Sequence, residues 1–136
     1  MDLNMTAKNN RRSRVLIVSL PGMMQNVLRE TFTNRADVDV VGFASGGLSA
    51  VSLIRQELPD LVVIDSSLPE AETSKLILWI KSDSQHTRSL VLVENTQQLN
   101  KATSAGADVA LQSYSLPDSL DNVLESMSTN QRTNTE

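Results

Sequence analysis

The sequence predicts an α/β domain in which five strands alternate with five helices around a doubly wound parallel sheet, and three observations predict it. Short β-branched runs alternate with amphipathic helical patterns along the chain. Three of the runs, VLIV, LVVI and LVLV, are continuously apolar, the pattern of strands covered by helices on both faces. At 136 residues the chain has room for one domain, and its 40% hydrophobic residues are enough to fill one core.

Taken in order, the first strand is expected over Arg14 to Ser19 (RVLIVS). After Pro21 and Gly22, the residues Met24, Val27, Leu28 and Phe32 form a helical stripe. The second strand follows over Val38 to Ala44 (VDVVGFA), then a helix after Ser45 carrying Leu48, Val51 and Leu58, closed by Pro59. The third strand, Leu61 to Asp65 (LVVID), leads to a helix that buries Leu76, Ile77 and Ile80. A fourth strand at Leu90 to Val93 precedes a weak helical pattern over Gln97 to Ala105, where Leu99, Ala102 and Ala105 alone have helical spacing. The fifth strand, Asp108 to Leu111, is followed by a strong helix. Ser115 stands before Pro117 and Asp118 in its first turn, and Leu120, Val123, Leu124 and Met127 form its buried face.

The ends differ from this pattern. Residues 1–11 read as a flexible arm, 12–127 as the folded domain and 128–136 (STNQRTNTE) as a flexible tail, which fits a stand-alone protein and a linker to a further domain equally well. The formal net charge is −4, yet Lys8, Arg11, Arg12 and Arg14 cluster near the start; residues 15–136 hold eight basic and fifteen acidic side chains, net −7. A domain of that sign is not expected to bind nucleic acid directly, and the basic arm reads as solubilising or as a contact for an anionic partner. With no cysteine and one histidine, His86, disulfides, thiol chemistry and a Cys or His metal centre are excluded. The longest apolar run is five residues, so no membrane segment is expected and the protein reads as cytoplasmic.

In a doubly wound sheet the functional crevice lies at the carboxyl ends of the strands, which singles out Ser19, Leu20, Asp65, Val93, Glu94 and Ser113. Asp65 stands out because it ends an apolar strand and is followed by Ser66, Ser67, Leu68 and Pro69. From position alone it is a metal ligand, a nucleophile or a solvated strand cap. Other chemistry finds little footing. Gly46 and Gly47 belong to neither GxxxxGK[ST] nor GxGxxG and are explained by turn geometry; His86 sits in a polar loop; 3% aromatics and no hydroxyl-rich loop after the first strand argue against a flavin.

The segment PDLVVIDSSLP (Pro59 to Pro69) resembles the phosphoacceptor segment of bacterial response-regulator receiver domains, which are CheY-like. The likeness extends over RVLIV, VVGFASGG and AGADVALQS, residues 12–127, and is greatest to receivers that precede LuxR-type DNA-binding domains. The resemblance implies a flavodoxin-like sheet in the order 2-1-3-4-5, a place in two-component phosphorelay signalling or transcription control, and no enzyme activity of its own. Residue by residue, most of the family's apparatus is replaced. The two acidic residues that hold Mg²⁺ match Ser19 and Leu20; the phosphoryl-bonding Thr or Ser matches Val93; the Lys and the Pro beside it match Ser113 and Tyr114; the switching aromatic matches Ala110. Asp65 and Pro69 are retained, while Glu70 and Thr73 replace the glycines of the following loop.

The expectation is therefore a pseudo-receiver acting by phosphorylation-independent protein contact, with no cofactor. The alternative is a phosphoacceptor that takes phosphate on Asp65 from a histidine kinase, using Mg²⁺ with unusual support from Glu94 and Ser19. Partners under either reading are a histidine kinase or a transcription regulator, with a homodimer also open. Leu78 and Trp79, off the buried stripe of the third helix, are expected as an exposed apolar pair and interface candidates. A connection about two residues shorter than the family's before AGAD implies that the fourth helix is short or distorted.

Overall fold

The computed structural model describes residues 12–134, with side chains described up to Met127; the expected N-terminal arm lies outside the described residues. Five strands, β1 (Ser13–Val18), β2 (Val38–Ala44), β3 (Leu61–Ile64), β4 (Arg88–Val93) and β5 (Val109–Gln112), form one sheet in the order β2-β1-β3-β4-β5 with every pair parallel. The intervening helices are α1 (Met23–Thr33), α2 (Gly47–Glu57), α3 (Glu70–Asp83) and α4 (Thr96–Ala105), and a short 3₁₀ turn at Ser113–Ser115 leads into α5 (Leu116–Asn134). The last helix thus continues past residue 127, where the sequence reading places the start of a tail.

Strand parity divides the core. On one face Val15, Ile17, Leu61, Val63, Leu90 and Leu92 pack against Leu28 and Phe32 of α1 and the α5 stripe. On the other, Leu16, Val18, Val62, Ile64, Val91 and Val93 meet α2, α3 and α4. All four residues of β3 are buried, so this strand has no polar side.

The helical stripes hold for α3 and α5 and fail in part for α1 and α2. Val27 is half-exposed, and α2 buries Ala50 and Ile54 while Leu48 is 91% exposed. Leu58 is no member of the stripe: it ends α2 in the left-handed conformation (φ 48°) with its side chain in solvent. Helix α4 is short, as expected, but regular. Asn95 accepts a hydrogen bond from the Gln98 amide at its start, and Gly106 (φ 108°) closes its end. At Gly106 the positive φ is one constraint and space is another, since an added Cβ would lie 2.5 Å from Lys81 Cδ. Gly106→Ala should therefore lower unfolding stability by about 1–2 kcal/mol in denaturant titration, where a substitution compatible with the backbone would be neutral or stabilising.

Opposite the crevice, Arg35 grips Asp37 through two bonds of 2.9 Å and reaches Asp121 of α5 at 2.8 Å. The hydrogen bonds from Arg35 hold the Asp37 carboxyl below its ordinary value. A lowered folded-state pKa stabilises above the unfolded carboxylate pKa, and the contribution is lost as pH falls through the folded value. Because Asp37 is half-exposed, Asp37→Asn should cost less than about 1 kcal/mol near neutral pH, and the difference from the parent should vanish toward acid.

Candidate functional site

The register of the central strands builds the crevice. Val15 lies beside Leu61 and Ile17 beside Val63, so one step further Ser19 stands abreast of Asp65. Both are essentially buried, at 0% and 1% exposure. The Ser19 hydroxyl donates to Asp65 Oδ2 at 3.0 Å, with the Leu20 carbonyl a second acceptor at 3.2 Å. Backbone bonds from Ser19 N to Ala44 O (2.9 Å) and Asp65 N to Val18 O (3.0 Å) extend the sheet ladder to both residues.

Four loops meet above them, those after β1, β3, β4 and β5. The Leu20 amide donates to Ser67 Oγ at 3.0 Å, tying the loop after β1 to the loop after β3. The Ser66 hydroxyl donates to Glu94 Oε2 at 2.9 Å. Ser113 Oγ lies 3.4 Å from the same oxygen and 3.3 Å from the Val93 carbonyl. Glu94 therefore bridges the loops after β3 and β5, a role the position just past β4 hints at without fixing. Pro69 caps the start of α3 and Leu68 turns into the core.

Of the remaining expected residues, Val93 is buried on the α3–α4 face, where it lines a cavity together with Asp65. Ala110 is half-buried and pairs with Val91, two residues below the rim of the sheet, while Gln112 pairs with Val93. Leu78 is exposed as expected, but Trp79 is not its exposed partner: it packs against the α2–α3 side of the core, with the Arg55 guanidinium 5.5 Å from the ring centroid. The ring folds over the neighbouring helix because that buries its apolar area without a second chain.

The glycines after Ser45 also have a different cause from the one expected. Gly46 is extended, and the Gly47 amide donates to the Glu72 carboxylate, which reaches across from α3. A Cβ at either glycine would crowd Glu72, so close approach selects glycine here, and the chain's own carboxylate occupies the N-terminus of α2.

Below Asp65 lies a cavity of about 70 Å³ between β4, α3 and α4. Its floor is Leu68, Val91, Val93 and Ala102; Thr73 and Gln98 line its upper wall. An ion pair from Lys101 Nζ to Glu70 Oε1, 3.1 Å, stands at the mouth. Neither this pair nor Glu72 was legible, because long side chains choose partners on other elements.

The chain matches the response regulator receiver domain over residues 15–125. It belongs to that family. Among curated relatives, the protein-glutamate methylesterase/protein-glutamine glutaminase 1 of Methanospirillum hungatei is 28% identical over 99 residues, 70% of this chain and 29% of the relative. The uncharacterized transcriptional regulatory protein YhcZ of Bacillus subtilis is 31% identical over 85 residues, 62% of this chain and 40% of that protein. The chain thus spans well under half of these two relatives. Among solved structures, the receiver domain of the response regulator NarL from Mycobacterium tuberculosis superposes with TM-score 0.76 at 22% identity, covering 87% of this chain and 98% of that one; it shows the fold alone. The response regulator domain of Thermotoga maritima CheB gives 0.64 at 26%, covering 88% and 96%. The receiver framework is intact, and among the described residues no helix is long and apolar enough to cross a membrane.

The donor set around Asp65 does not fit Mg²⁺. Ser19 commits its proton to the carboxyl and Leu20 offers no side-chain oxygen, so a cation that demands near-octahedral oxygen coordination lacks the neighbouring carboxylates. Removing the Ser19 hydroxyl would leave a buried carboxyl oxygen without its protein donor. Ser19→Ala should cost about 1–3 kcal/mol in chemical denaturation, and Asp65→Asn, which keeps an acceptor for Ser19, should cost less.

Proposed function

We propose that this receiver works as a phosphorylation-independent interaction module in bacterial signalling or transcription control. The observation that supports it most is the charge at the crevice. The family's Lys position is Ser113, and its hydroxyl faces the carboxylate of Glu94, so a carboxylate rather than an ammonium stands on that side of the crevice. Phosphoryl transfer to a carboxylate depends on neutralising the transferring group, and a second carboxylate opposes it. Val93 and Ala110 also lack the hydroxyl and ring through which the family relays the event.

Output would pass through protein contact with a histidine kinase, a transcription regulator or a second copy of the chain. Exposed Leu78 remains a contact candidate; Trp79 would contribute only through its half-exposed edge. That a longer relative is named a transcriptional regulatory protein is consistent with this reading.

The second reading, a phosphoacceptor supplied by a histidine kinase and using Mg²⁺, is favoured by Asp65 itself, which keeps its place at the carboxyl end of β3. The two separate in one experiment. Incubated with a small phosphodonor and millimolar Mg²⁺, the protein should show no phosphoryl adduct by mass spectrometry, and Asp65→Asn should retain activity in cells. An adduct on the parent that is absent from the Asn variant would establish the phosphoacceptor. Titration with Mg²⁺ alone, followed by NMR, should show no saturable shift near Asp65.

A further inference from the structure

We propose that the cavity beneath Asp65 is a binding site for a small organic ammonium compound, with the amine on the Asp65 carboxyl and a short apolar body between α3 and α4. Shape, charge and unused bonding capacity lead to the same ligand.

The shape comes from α4. That helix fully buries only Ala102, with Leu99 packed partly buried against the same core, so it brings little bulk against the α3 face of the sheet. What is left is a half-open pocket lined by Leu68, Val91, Val93 and Ala102 that measures about 70 Å³. At about 10–15 Å³ per water-sized centre, this holds about five to seven non-hydrogen atoms. The floor is aliphatic and suits a branched or linear chain of a few carbons.

The unused capacity belongs to Asp65. Among the described residues its carboxyl accepts one side-chain hydrogen bond, from Ser19, although a carboxylate offers about four acceptor positions. It is 1% exposed and lines the cavity, so a donor entering there would meet a charge-assisted acceptor on a largely buried carboxyl.

The charge follows from the lining. Asp65 and Glu70 are acidic and Lys101 is basic, a net of one negative charge, which one ammonium balances. The uncharged polar lining is hydroxyl and carboxamide, from Ser66, Thr73, Ser74 and Gln98, beside the apolar residues. Such a set suits an organic cation and lacks the clustered carboxylates a metal ion requires.

The Glu70–Lys101 pair sets access. Glu70, Ser74 and Lys101 line both the inner cavity and an open groove that continues between α3 and α4 past Ala71, Asn100 and Ser104. The ion pair lies where the two spaces join, and both partners are about half-exposed, so parting it costs little. A ligand longer than the inner cavity would emerge there with its far end in the polar groove.

The proposal rests on the reading that Asp65 is not reserved for phosphorylation. Its test measures binding without a phosphodonor, so either reading can fail alone. The full chain, isotopically labelled, is titrated with isobutylammonium chloride and, in parallel, with isobutanol, sodium isobutyrate and sodium chloride. The ammonium should give saturable amide shifts at Leu68, Val91, Val93 and Ala102, the alcohol a weaker response, and isobutyrate and sodium chloride none. Asp65→Asn should weaken ammonium binding about tenfold, the loss of a charge-assisted contact to a largely buried carboxyl. Ala102→Met, which fills the floor with a flexible apolar chain, should abolish binding with the remaining spectrum preserved. Non-saturating shifts, equal response to ammonium and isobutyrate, or undiminished binding in both variants would overturn the proposal.

Discussion

The burial of β3 on both faces is the constraint from which the rest of the molecule follows. Leu61, Val62, Val63 and Ile64 are all within the core, so neither face can meet water and each must be roofed by helices. Parallel neighbours joined by crossovers satisfy that demand, and they bring every strand's carboxyl end to one edge. Asp65 is carried there as the next residue after Ile64, and Ser19 arrives beside it because β1 runs in the same register. A slip of one residue would exchange the two faces of β3 and break both halves of the core together, so apolar packing fixes where the carboxyl sits.

This explains which parts were legible in the sequence. Strands with continuous apolar runs announced themselves, and counting to their ends located Ser19, Asp65 and Val93 without any knowledge of side-chain contacts. Helices α3 and α5 were equally plain because each carries a full stripe of large residues. Helix α2 was not: it packs through Ala50 and Ile54, and alanine gives a weak periodic signal, so Leu48 and Leu58 drew the stripe to the wrong side. The contacts of Trp79, Glu72, Glu94 and Lys101 share one reason for being hidden. Each side chain spans a gap between elements, and spacing along the chain says nothing about a partner reached through space.

Fold and crevice chemistry are separable here because different atoms determine them. The framework depends on the aliphatic interior and the backbone ladder, to which the strand ends contribute Val93 but not the polar side chains of Ser19, Asp65, Glu94 or Ser113. The mouth of the crevice is shaped instead by polar side chains, with Ser66 and Ser113 meeting the Glu94 carboxylate across the loops.

Glu72 gives the molecule one mechanical property. Its carboxylate, rooted in the first turn of α3, is bonded to the first amide of α2, and Gly46 and Gly47 leave no slack around it. The two helix starts are therefore joined by a short strut. Glu70, at the mouth of the inner cavity, lies on the same turn as the root of that strut. One turn of α3 therefore touches two places at once, the mouth of the inner cavity through Glu70 and the start of α2 through Glu72, and the outer surface of α2 carries the exposed Leu48.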